Sequence, residues 1–254
     1  MQFRLKAFGW HLLGSATVLT LVLGGLFLGW YRWPGWYLAD VLKVSGMLAA
    51  IDLALGPLLT LLIANPANPA KPRRELARDI TIIAFAQLVA LGYGAHALWS
   101  GRPLYYTFSV NRLEMVRAFE IDPKEAKIAQ RDVPALAPHW YSRPRWVWAP
   151  LPSDEKAANA IMQSAITGGA DVIDMPRLFK PWDDGLPELR NQLKKVTELS
   201  NLSDNQKARA AARMKALGFN PEEPVTMIMT GRADPLVVVF DPLRVEIRAE
   251  IEAH

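Results

Sequence analysis

Asp52 is the one formal charge between Val44 and Ala64, and that isolation makes it the residue most open to a chemical role. A carboxylate held in hydrocarbon costs roughly 2.5–3.5 kcal/mol on insertion scales, and it is kept where it meets a partner or a path for protons. In the next apolar run Gln87, Tyr93 and His96 are the polar groups able to meet it, and Gly92 lets a neighbouring backbone come close. Asp52 lies twelve residues from Ala64, and twelve residues on from Asp79 is Leu91. Gly92 and Tyr93 therefore share its depth, with the Tyr93 hydroxyl as a donor to the carboxylate. Gln87 falls about one helical turn deeper and His96 about one turn shallower. Two readings follow: a contact point for a partner transmembrane helix, or an internal polar clasp. A single carboxylate without a relay gives a proton path little support. Gly56-Pro57, one turn further along, removes a backbone donor and leaves carbonyls for a neighbouring helix to satisfy.

Other chemistries find little to work with. There is no cysteine, so thiol catalysis, cysteine-based metal sites and disulfides are excluded. His11, His96, His139 and His254 have no metal-ligand spacing. No glycine-rich phosphate loop and no nucleophile elbow is present. Acidic pairs such as Asp154-Glu155, Asp183-Asp184 and Glu222-Glu223 read as solvated helix starts and loops. The expectation is a protein that is not an enzyme, with no cofactor, no metal and no catalytic residue.

The elements that would position Asp52 are long. A helix crossing a bilayer needs about 20 mostly apolar residues. Three stretches meet this, at about 7–31, 44–64 and 80–100. Arg4 and Lys6 precede the first, which ends in Trp30, Tyr31, Arg32 and Trp33 rather than in small residues, so it reads as an uncleaved anchor. Span two ends in Asn65-Pro66, and Arg73, Arg74 and Arg78 follow with Lys71. Basic residues in short loops mark the cytoplasmic side. The N-terminus and the second loop are then cytoplasmic, and the first loop and everything after span three lie outside. Trp30, Tyr31, Trp33, Trp36, Tyr37 and Trp99 would form the outer aromatic belt, and the basic loop would meet anionic lipid headgroups. Residues 1–103 hold nine Lys/Arg against four Asp/Glu; residues 104–254 hold twenty against twenty-one. The second part has no basic stripe, which argues against nucleic acid.

Residues 104–254 read as an α+β domain. Strands are expected around Asn111, over Arg145 to Trp148, at Val225 to Thr230 and at Leu236 to Phe240. Leu243 to Ile251 alternates apolar and charged residues, the period of a half-buried strand. Helices are expected from Ser153 to Gly168, from Leu186 to Leu199, and from a capping box at Ser203 and Gln206 to Gly218. A small sheet with helices on one face is the natural assembly. In the proline-rich stretch between them, Trp140, Trp146 and Trp148 are a candidate aromatic binding surface, or packing over the domain's own core.

Several blocks carry a resemblance. They are Asp52-Leu53-Ala54-Leu55-Gly56-Pro57-Leu58-Leu59-Thr60, Asn65-Pro66, Arg73-Arg74-Glu75-Leu76-Ala77-Arg78-Asp79 and Gln87 to His96. The opening Lys6-Ala7-Phe8-Gly9-Trp10-His11-Leu12-Leu13 with Ser15 adds to them, as do Arg102-Pro103 and Phe108 to Val116. In order and spacing these resemble the type IV pilin accessory proteins of the TfpX/TfpZ type, over about residues 4–120. The resemblance implies a multi-pass protein of a Gram-negative inner membrane with its C-terminal domain in the periplasm. It implies an accessory or chaperone role for a cognate major pilin, whose single hydrophobic helix and outer head need shielding, and no enzymatic activity. Spans two and three are expected to face the pilin tail. The oligomeric state and the identity of the pilin stay open. The alternative is a membrane-anchored sensor or regulator with an outer ligand domain, although only a tail and one short loop lie on the inner side.

Overall fold

The computed structural model describes residues 2–63 and 73–253, which fall into two units. The first takes in the chain up to Arg32 and from Asp40 to Ser100. It begins with α1 (Gln2–Gly29). A short α2 (Gly35–Leu38) follows and belongs to the second unit. The second long helix is built from α3 (Val41–Ala50), a π-helical turn (Ile51–Leu55) and α4 (Gly56–Ile63), and the third is α5 (Arg73–Ser100). Leu5–Gly29, Val41–Ile63 and Ala77–Ser100 are each long and apolar enough to cross a membrane. Their surface agrees. Large apolar side chains such as Trp10, Leu21, Leu62 and Phe85 point outward, the reverse of a water-soluble bundle. Inside, Leu19, Leu48 and Leu91 pack together, one from each long helix. Tyr31 donates its hydroxyl to the Leu98 carbonyl at 2.6 Å, tying the end of the first span to that of the third. Asn65 and Pro66 lie outside the described residues. Arg73, Arg74 and Arg78 belong to the first turns of α5 rather than to a loop.

The second unit takes in Trp33–Ala39 and the chain from Gly101. Its centre is a seven-stranded mixed sheet. The strands are β1 (Pro103–Ser109), β2 (Arg112–Arg117), β3 (Arg145–Trp148), β4 (Lys180–Pro181), β5 (Thr226–Thr230), β6 (Leu236–Phe240) and β7 (Ile247–Glu252), in spatial order 4-3-1-2-5-6-7. β1 and β2 form the expected hairpin around Asn111, with Val110 in the left-handed region at φ 52°. β3 joins β1 in parallel, Tyr106 opposite Trp146, and β5 joins β2 in parallel. β5, β6 and β7 run as an antiparallel meander.

Helices cover both faces of this sheet, where one covered face was expected. The five consecutive apolar residues of β6 are all buried, as a strand packed on two sides requires. Leu236, Val238 and Phe240 face a cluster with Tyr106, Phe108 and Met229, closed by Leu189 of α8 (the helix Leu186–Gln192) and by Leu38 of α2. Val237 and Val239 face Ala210 and Met214 of α9, which runs Asp204–Ala216. A third cluster sets Tyr105, Val147 and Phe179 against Ile161 of α7 (Glu155–Ile166), beside α6 (Pro123–Asp132).

Local signals fix an element where a side chain completes the backbone. Ser203 accepts from the Gln206 N–H and Gln206 answers from N3, and the helix they start ends at Gly218 with φ +85°. Asp154 rather than Ser153 caps α7, accepting from the Ala157 N–H at 2.8 Å. Two expectations were too long. The helix from Leu186 stops at Gln192 because Lys194 pairs with Thr226 at the edge of β5. The alternating run from Leu243 becomes strand only at Ile247. Asp241 accepts from the N–H groups of Leu243 and Arg244, and the turn it closes leaves Leu243 81% exposed and Val245 buried at φ 56°.

Candidate functional site

Pro57 organises the polar interior of the first unit. It has no N–H to give. In the π-helical turn before it, bonds run from residue i to residue i−5, and the residue five before Pro57 is Asp52. The Asp52 carbonyl is thus denied that partner along its own helix. Gln87 of the third span supplies a replacement, its Nε2 donating to the Asp52 carbonyl at 2.9 Å. The approach requires Gly56, since a methyl group there would overlap the Gln87 amide. Gln87 Oε1 in turn accepts from His11 Nε2 at 2.7 Å, and His11 Nδ1 faces the buried Thr60 hydroxyl at 2.5 Å. The network is satisfied when the imidazole proton sits on Nε2 and Nδ1 accepts from Thr60. One hydrogen-bond chain therefore joins all three long helices: Thr60 to His11 to Gln87 to the backbone of Asp52.

The Asp52 carboxyl group takes no part in that chain. It is 3% exposed, and its Oδ1 has no hydrogen-bond partner among the described residues. It borders a cavity of about 230 Å³ whose walls include Gly14 and Ser15 of the first span and Ala84 and Gln87 of the third, with His11 alongside.

The residues picked from the sequence thus separate. Asp52, Gly56, Pro57 and Gln87 come together. Gly92, Tyr93 and His96 do not join them. Tyr93 is 78% exposed and points away from Asp52, which corrects the expected hydroxyl–carboxylate contact. Residue depth sets height in the bilayer but not the side of the helix, and Tyr93 falls nearly opposite the Ala84–Leu91 face that lines the cavity. Gly92 is exposed with open space around its Cα. His96 lies 3.5 Å from the Ser100 hydroxyl and against Trp99. Gly94 is where the second span comes close, against Leu48. Arg74 and Arg78 are exposed, Arg78 within 3.7 Å of Asp79. His11 and Thr60 join the network although nothing in the expected site includes them. The available signal is that His11 is the one imidazole in its apolar run, and that Thr60 follows Gly56 by one turn.

In the second unit the three tryptophans do not share a surface. Trp140 is 70% exposed beside Tyr141. Trp146 packs between Tyr106 and Trp182, each ring centroid 5.0 Å away, and Trp148 lies over Gly185 with Lys180 above it. Trp36 and Tyr37, expected in an interfacial belt, are half-buried members of this unit, and Trp33 hydrogen-bonds Glu250. Next to them Leu38 is fully buried, and its carbonyl accepts from the N–H groups of Arg232 and Ala233 at 2.6 and 3.1 Å. Glu114, Glu120, Asp171 and Asp174 gather around Arg112. Burial pushes Glu114 and Asp174 above the usual carboxylate range. Among the described residues no three His, Asp or Glu side chains converge as metal ligands.

Set beside known proteins, the chain is 26% identical over 259 residues to the fimbrial assembly protein of serogroup I from Dichelobacter nodosus. That match spans 99% of this chain and 96% of the relative. The serogroup E1 protein of the same organism is 25% identical over the same shares. The fimbrial assembly protein of serogroups C1 and C2 is 32% identical over 119 residues, 47% of this chain and 88% of its own length. No family model and no solved structure matches.

Proposed function

The chain belongs to the fimbrial assembly protein family, and from that premise we propose a role in type IV pilus assembly, as a multi-pass inner-membrane accessory protein that binds the major pilin and keeps it competent for assembly. The N-terminus and the Arg-rich start of α5 are cytoplasmic on this reading, and the sheet unit is periplasmic. What carries the reading is the likeness to fimbrial assembly proteins along nearly the whole chain. The three apolar helices support it, since a subunit waiting in the bilayer as one hydrophobic helix needs helices beside it and a folded unit beside its head. The role is one of binding rather than catalysis. In the membrane unit His11, Thr60 and Gln87 are occupied with one another, as a scaffold requires. The resemblance to the TfpX/TfpZ type names the variety of accessory protein meant.

Co-purification tests this. The tagged full-length protein, extracted in mild detergent from cells that express the cognate pilin, is expected to bring the pilin with it. It is also expected to lengthen the pilin's lifetime in a pulse-chase. A pilin that neither co-purifies nor turns over faster in its absence contradicts the proposal.

A further inference from the structure

The Asp52 carboxyl group borders a cavity in which the described residues give its Oδ1 no donor. Its backbone carbonyl is satisfied by Gln87, and its burial is nearly complete, yet Oδ1 meets no donor among the described residues. The cavity beside it has walls from the first and third spans and only Asp52 from the second. Gly14 and Leu88 on those walls are exposed, so the cavity is a cleft opening to the lipid-facing surface between spans one and three. Gly14 and Ala84 at its lip are small, and a Cβ at Gly14 would meet nothing. Small residues at a helix surface let another backbone approach closely, and interhelical hydrogen bonds then fix the pair.

We propose that this cleft is the docking site for the transmembrane helix of the fimbrial subunit, which lies against spans one and three and hands a side-chain O–H or N–H donor to Asp52. The inference rests on the reading above that this chain binds such a subunit. It moves the contact from spans two and three, where the sequence placed it, to the opening between one and three. The occupant follows from the chemistry of the cleft. A lipid chain would leave the carboxyl group as it is, with no donor. The cleft has room for a side chain and not for a helix about 10 Å across, so the partner stays outside and reaches in. Oδ1 lacks a donor among the described residues, so the group that enters is one that carries an N–H or O–H.

A photo-crosslinking amino acid is placed at position 14, at the lip, or at position 93, on the far side of the third span, in the full-length protein co-expressed with the subunit in membranes. Crosslinks at 14 and none at 93 are expected. At Gly14→Leu the Cβ meets open space, and the longer side chain occupies the cleft. This substitution should lower co-purified subunit at least tenfold while the variant accumulates and melts like the wild type. Asp52→Leu should do the same, and Asp52→Asn, which still accepts a hydrogen bond, should retain more subunit than Asp52→Leu. If the wild type holds the subunit but crosslinks it at 93, or if Gly14→Leu keeps it, the cleft is not the site and the accessory role stands. If the wild type holds no subunit, the role and the cleft fall together. If only lipid crosslinks at 14 while subunit still co-purifies, the cleft is a lipid contact and the proposal is overturned.

Discussion

At Asp52 the backbone and the side chain face different neighbours, and each can be tested alone. The carbonyl is part of the chain through Gln87 and His11 to Thr60. Interhelical hydrogen bonds in membranes average about 0.6 kcal/mol and reach about 1.7. Gln87→Leu removes two and should lower the stability of the helical unit by about 1–2 kcal/mol, read as a drop in thermal midpoint in detergent. Gly56→Ala, whose methyl displaces the same amide, should act in the same direction, and the double variant should lose less than the sum because both act through one contact. An additive result would mean that Gln87 does not bridge the helices. In the sheet unit the carboxylates give a pH signature. Burial raises Glu114 and Asp174, with Arg112 opposing and Glu120 and Asp171 adding like charge. An acid raised in the folded state favours folding while protonated, fully below about pH 4, and this is lost as pH rises through the folded value. Asp241 runs the other way. The Arg244 N–H, the Arg248 guanidinium and the Leu243 N–H hold it down to about 2, so its contribution is present above about pH 4 and lost as pH falls toward 2. The midpoint followed by tryptophan fluorescence should therefore rise on acidification from about pH 7 to about 4.5 and fall below about 4. Glu114→Gln should flatten the upper limb and Asp241→Asn the lower. Of these residues, Asp52, Gly56 and Pro57 were legible in the sequence because they break an apolar pattern. The partnership of His11 was not, because which helix faces meet depends on packing between segments far apart in the chain.

Elements were legible to the degree that their signals are local. The capping box at Ser203 and the hairpin around Asn111 are complete within a few residues, and both appear where expected. The stop of α8 at Gln192 is set by Thr226, and the late start of β7 by the turn at Asp241, so periodicity alone overran both. The seven residues Trp33–Ala39 depart furthest from the sequence expectation. Their aromatic content reads as an interfacial belt, yet Leu38 is buried among Phe108, Leu236 and Val238, the latter two more than 190 residues away. Leu38→Ala should cost roughly 2–5 kcal/mol, the range for a buried leucine. Gly231→Val, whose side chain would meet the Leu38 carbonyl, should weaken the same contact. Both should speed proteolysis of the sheet unit; protection at the wild-type level would show that this segment is not part of its core.

For the molecule as a whole, the long apolar helices were plain from composition, while coverage of both sheet faces was hidden in strands too short to reveal their neighbours. The proposed orientation rests on the basic residues Arg4, Lys6, Lys71, Arg73, Arg74 and Arg78. Alkaline phosphatase fused after residue 254 should be active and a fluorescent protein fused there dark, with the pattern reversed at position 70; a bright fluorescent protein at 254 would invert the topology. The role itself is tested most directly by counting surface pili on cells that lack this gene. The account predicts that surface pilin falls at least tenfold with the pilin transcript unchanged, and that the wild-type gene restores it. Normal piliation without the protein, or a loss traced to a fallen transcript, would contradict it.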